Sequence, residues 1–118
     1  MDDLKKLRAL IDSLEEVNAH DIKIYVMKDS HLFDYGVVAT AVASRQMDGL
    51  ISKINEKKNE YDIMVRGCEG RGGSGWLLID VGFAIVNLFT LEDRSRYDLD
   101  KIWAQFDQLD YQTLQIIE

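Results

Sequence analysis

The chain has no proline and a single cysteine among its 118 residues, and each scarcity narrows what it can be. Without proline, every turn must rest on Gly, Asn, Asp or Ser. With Cys68 alone, no intramolecular disulfide can form and nothing points to an oxidising compartment. Long apolar runs are missing too: no stretch approaches the roughly 18 consecutive apolar residues of a membrane-spanning helix. The first residues, Met1-Asp2-Asp3-Leu4, carry acids where a signal peptide carries bases and an apolar run. The expectation is a cytoplasmic protein with no membrane association.

Basic residues are also in short supply. Fourteen Lys and Arg face 21 Asp and Glu, a net charge of -7, and the bases are scattered (Lys5, Lys6, Arg8, Lys53, Lys57, Lys58). Binding to a phosphate backbone scales with the number of phosphates that clustered cations neutralise. Direct binding to DNA or RNA is therefore disfavoured, and a basic protein is the electrostatically natural partner. What is present is ordinary globular material: 47% hydrophobic and 30% charged residues exclude a disordered chain, and the length suits one domain.

The periodicity orders the elements. Over 3–18, Leu4, Leu7, Leu10, Ile11, Leu14 and Val17 share one helical stripe, with Asp2 and Asp3 at its positive end. From Asp21 the period becomes two, with Ile22, Ile24 and Val26 on one face of a strand. Residues 33–42 are nearly all apolar and predict a central strand covered on both faces. Ser44 is a plausible cap for a second helix bearing Met47, Leu50, Ile51 and Ile54. A third strand is expected over Tyr61–Arg66, then a glycine-rich loop from Gly67 to Gly75. Trp76–Asp80 and Phe83–Phe89 predict two strands around a tight turn at Val81-Gly82. Asp98 is placed to cap a last helix carrying Leu99, Ile102, Trp103 and Phe106. This order predicts a mixed α/β (α+β) fold with a roughly five-stranded sheet flanked by helices. Residues 1–106 form the expected domain and 107–118 a C-terminal extension.

Catalytic patterns are thin. Gly72-Gly73-Ser74 followed by a strand ending at Asp80 faintly resembles a nucleotidyltransferase loop, yet that chemistry wants two or more carboxylates converging on metal ions. No Gly-Lys-Ser/Thr closes the loop, which excludes a P-loop. His20 and His31 lack neighbouring Cys or His at ligand spacing, and Asp21 beside His20 reads as a turn or cap residue. Cys68 adjoins Glu69, whose charge disfavours a reactive thiolate. The sequence thus offers no catalytic set, no metal site and no cofactor.

A polar and aromatic group stands out instead: Glu69, Trp76, Asp80, Asn87, Arg94 and Tyr97. Trp76, Leu78 and Asp80 share one strand face, opposite Leu77 and Ile79. Asn87, set between Ile85 and Phe89 on its own face, must find hydrogen-bond partners or meet a ligand. Trp, Tyr and Arg are the types enriched at binding hot spots. The simpler alternatives are that Trp76 and Trp103 are core residues and that Arg94 pairs with Asp80 or Asp98.

These residues carry a resemblance. Asp21-Ile22, Phe33-Asp34-Tyr35, Ser44-Arg45-Gln46, Glu69-Gly70, Gly75-Trp76, Leu78-Ile79-Asp80-Val81-Gly82 and Arg94-Ser95-Arg96-Tyr97-Asp98-Leu99 through Trp103 resemble, in order, the Iojap-related ribosomal silencing factors. The likeness runs from about Leu4 to Phe106. It implies an α/β fold remotely similar to nucleotidyltransferases but without their active site. It further implies binding to the large ribosomal subunit through that subunit's ribosomal protein number fourteen. Occlusion of the small subunit then represses translation, notably when nutrients are scarce, and free members often form homodimers. Two departures are visible: Asn87 stands where the family usually has His, and Gly36 and Ala41-Val42 replace an aromatic and a Thr-Gly pair. Two other readings compete: a small nucleotidyltransferase-like enzyme using Gly72–Gly75 with Asp80, and a generic dimeric interaction module.

Overall fold

A computed structural model describes residues 2–28, 32–70 and 75–118. Helix α1 (Asp3–Glu16) begins where Asp2 accepts a hydrogen bond from the Leu4 backbone N–H at 3.0 Å, supplying one of the partners a helix start lacks. It ends before Asn18, whose positive φ of 61° turns the chain into strand β1 (His20–Val26). Strand β2 (Tyr35–Ala41) is buried at every position, as a central strand covered on both faces must be. A 3₁₀ turn over Ser44–Met47 precedes α2 (Asp48–Glu56), and a short α3 (Lys58–Tyr61) follows. The remaining elements are β3 (Gly67–Glu69), β4 (Trp76–Asp80), β5 (Ala84–Thr90), α4 (Leu91–Tyr97), α5 (Leu99–Ile102) and β6 (Gln108–Leu109).

Among the described residues the strands form one six-stranded sheet in the order β3-β4-β5-β2-β1-β6. Only β2 and β5 are parallel; every other neighbouring pair is antiparallel. On one face, Leu7, Leu10, Ile11 and Leu14 of α1 and Leu50 and Ile54 of α2 pack against Ile24, Val37, Ala39, Leu77, Ile79, Val86 and Leu88. Each of the Leu, Ile and Val side chains contributes about 1.5–3 kcal/mol by leaving water, so this layer dominates the stability. The second face holds a smaller cluster of Tyr25, Met27, Val38 and Phe89, covered by Leu99, Trp103 and Phe106. Gly36 lies beneath this cover: a Cβ there would come within 2.6 Å of the Trp103 ring and 2.7 Å of Met27 Sδ. The close approach therefore depends on glycine.

Several expectations change. The sheet has six strands, not five, because residues 107–118 do more than extend the chain. Leu109 pairs with Ile24, and Arg8 of α1 donates to the Tyr111 carbonyl at 3.1 Å and to that of Gln112. The third strand is not Tyr61–Arg66. Lys58–Tyr61 is a helical turn stopped at Asp62, whose φ is 54°, and pairing begins only at Gly67. Alternation alone misplaced it, since a short apolar-polar run also suits an extended segment with one buried residue, here Ile63. Cys68, expected in a loop, sits in β3 opposite Ile79. Ser44 opens a 3₁₀ turn instead of capping α2. The last helix is a single short piece, Leu99–Ile102, and an unexpected helix, Leu91–Tyr97, precedes it; Asp98, in a left-handed conformation with no side-chain cap, joins the two. The turn at Val81-Gly82 forms as expected: Gly82 has φ of 92° and its N–H donates to Asp80 Oδ1 at 2.8 Å. Among the described residues no helix is long and apolar enough to cross a membrane.

Candidate docking site

Strand alternation sets Trp76, Leu78 and Asp80 of β4 on the second face beside Ile85, Asn87 and Phe89 of β5. Leu91–Tyr97 then turns back across that face. Its start is fixed by Thr90, whose hydroxyl accepts from the Asp93 N–H at 3.3 Å. This places Tyr97 over Trp76, with ring centroids 4.8 Å apart, and Trp76 over the buried Phe89 at 5.0 Å. Tyr97 remains 46% exposed, so the aromatic stack opens to solvent.

Asn87 explains the orientation of the indole. It is 1% exposed, accepts from Trp76 Nε1 at 3.0 Å and donates to the Val37 carbonyl at 3.4 Å. The buried amide is thus satisfied from both ends.

Arg94 is buried as well, with a side chain only 8% exposed. Its Nε donates to Asp100 Oδ2 at 3.0 Å and its Nη1 to the Thr40 hydroxyl at 2.8 Å, while Asp21 Oδ2 lies 3.5 Å away. Tyr25 donates its phenolic proton to Asp100 Oδ1 at 2.6 Å. Burial alone would raise the Asp100 pKa. The hydrogen bonds from Arg94 and Tyr25 outweigh it and hold the carboxyl below its ordinary value. Burial first, then the bond to Asp100, pushes the Tyr25 pKa well above that of a free phenol. Asp21 reaches this cluster because it occupies a bulge in β1 with φ of 50°, not a simple turn.

Of the six residues singled out by sequence, Glu69, Trp76 and Tyr97 meet at one open pocket of about 210 Å³, with Gly70, Leu78 and Asp93 completing its described lining. Asn87 and Arg94 lie beneath the face and hold it in shape. Arg94 pairs with Asp100 and Asp21, neither of the partners expected for it. Asp80 is at the far end of β4, where its carboxylate is engaged by the turn. Two members were missed. Asp93 had a legible signal, since Thr90-Leu91-Glu92-Asp93 is a helix-start pattern. Asp100 had none: six residues from Arg94, it shares no helical face with it.

Among the described residues no group of three or more His, Cys, Asp and Glu is placed to hold a metal ion. His31 and Gly72-Gly73-Ser74, which entered the metal and phosphate readings, lie outside the described residues. The face can present aromatic surface and carboxylates, which is chemistry of recognition.

A family model described as "Ribosomal silencing factor during starvation" matches residues 1–117. The "Ribosomal silencing factor RsfS" of Zymomonas mobilis is 32% identical over 105 residues, covering 88% of this chain and 79% of that protein. The mouse "Mitochondrial assembly of ribosomal large subunit protein 1" is 30% identical over 100 residues, 80% of this chain but 43% of the mouse protein. A crystal structure of a Chromobacterium violaceum protein superposes with a TM-score of 0.79 at 28% identity, covering 88% of each chain.

Proposed function

Because the chain belongs to the ribosomal silencing factor family, we propose that it docks on the large ribosomal subunit through that subunit's ribosomal protein number fourteen. Bound there, it excludes the small subunit and represses translation, acting by occlusion and not by catalysis. The free protein self-associates as a homodimer and works in the cytoplasm without a cofactor. The observation that carries this reading is the exposed aromatic and acidic face formed by Glu69, Trp76 and Tyr97. Its aromatic residues are anchors of the kind that dominate interface energies. A net charge of -7 suits a basic ribosomal protein better than naked RNA. The mouse relative is itself named for assembly of the ribosomal large subunit.

The test is pelleting of the purified chain with separated ribosomal subunits, beside a subunit-joining assay. The protein is expected to sediment with large subunits only and to lower the yield of joined ribosomes. Tyr97→Ala should weaken sedimentation about tenfold or more, a hot-spot loss of roughly 1–2 kcal/mol, while circular dichroism stays unchanged. Equal behaviour towards both subunits, or unimpaired joining at micromolar protein, would sink the reading.

A further inference from the structure

The pocket beside Trp76 has a composition that selects one kind of guest. Its aromatic wall is the Trp76–Tyr97 pair, 4.8 Å apart and backed by Phe89. Its polar rim is anionic, with Glu69 from β3 on one side and Asp93 from α4 on the other. Asp93 is held inward. Its side chain is only 17% exposed, and a Cβ on Gly75 would fall 1.9 Å from Asp93 Oδ2. The carboxylate therefore occupies room that only a glycine at position 75 leaves. Among the described residues its ion-pair partner is Arg96, 3.7 Å away and 62% exposed, and such surface pairs hold weakly.

We propose that this pocket takes a single arginine side chain of the ribosomal protein partner, an inference that rests on the proposed function. A guanidinium is planar, so it can lie against the Tyr97 and Trp76 rings while its N–H groups point to the two carboxylates. The pocket, open to solvent and about 210 Å³, has room for one such group. Lysine would share the charge but lose both the stacking and the forked hydrogen bonds. Asn87, by holding the indole through its Nε1–H, sets the wall against which the guest stacks.

Two measurements test this on the full chain. In the first, amide and indole NMR signals are followed while N-acetyl-arginine amide is added, with the neutral citrulline analogue in parallel. The arginine probe is expected to move the Trp76 indole and the Glu69 and Gly70 amides, and the citrulline analogue to leave them still. Equal shifts with both probes, or none with either, overturn the proposal. In the second, Glu69→Gln is compared with Glu60→Gln, an equal charge change on the exposed α3, for retention on large subunits. Glu69→Gln should weaken retention about fivefold beyond the control, and Asp93→Asn should do likewise. Retention within twofold of the control, with the unaltered protein still bound, overturns the pocket while leaving the proposed function standing. Failure of the unaltered protein to bind large subunits overturns that function and the pocket's assignment with it.

Discussion

Asp100 is the residue where burial and hydrogen bonding oppose each other, and hydrogen bonding wins. Its carboxylate holds Arg94 of α4 and Tyr25 of β1 at once, so the cover of the second face depends on its charge. Replacing Asp100 by Ala leaves a largely buried guanidinium only Asp21 and Thr40 as partners and should cost about 3 kcal/mol, read as a lowered denaturant midpoint. The pH dependence has a definite sign. The folded-state pKa is lowered, so the stabilisation is complete above the ordinary carboxylate value of about 4. It is lost as the pH falls through the depressed folded value. Urea titrations between pH 6 and pH 2 should therefore show a steeper acid loss for the unaltered chain than for Asp100→Asn. Parallel acid limbs would mean that Asp100 gives nothing through its charge. None of this was legible from residue spacing. Arg94, Asp100, Asp21 and Thr40 come together only because α4 folds back over a sheet in which β1 and β2 are neighbours.

Among the elements, α1 and β2 were legible because pattern and environment agree. A stripe of leucines at helical spacing has one good burial solution, and an apolar run flanked by turns suits a strand covered on both faces. The third strand and the last helix were not, because their local preferences are weak and tertiary partners chose the outcome. β3 exists through its pairing with β4, and α5 through the packing of Leu99 and Trp103 on the sheet. The same holds for β6, only two residues long yet bearing the buried Leu109. Leu109→Ala should destabilise the chain by about 2–4 kcal/mol. Deleting residues 107–118 should go further. The edge of β1 is then unpaired and Arg8 loses its two carbonyl acceptors, a state expected to aggregate on light scattering. A truncated chain that stayed monomeric with an unchanged melting temperature would contradict this.

For the molecule as a whole, the proposed docking divides the work of recognition between charge and shape. Long-range attraction between an acidic domain and a basic partner acts mainly on the rate of encounter. In the proposed complex, the pocket and the aromatic stack are expected to set how long it lasts. Raising monovalent salt from about 50 to 300 mM should therefore slow association with large subunits about tenfold, with a much smaller change in dissociation. Stopped-flow or surface-based kinetics separate the two rates, and a salt effect confined to dissociation would refute that division.

By itself the sequence determined the class of fold, the order of its long elements, the scarcity of catalytic groupings and the acidic character of the surface. These follow from periodicity and composition, which are local or summed properties of the chain. It also carried the family, through motifs kept in order along most of its length. Only the tertiary structure decided which of the six candidate residues meet. Trp76, Tyr97 and Glu69 converge on solvent, Asn87 and Arg94 turn inward, and Asp80 closes a turn. The missing proline left the turns to Asp and Gly, and where Gly82, Asp62 and Asp98 adopt positive φ was settled by what the chain packs against next. Side-chain environment is a property of neighbours distant in sequence, and no spacing rule encodes it.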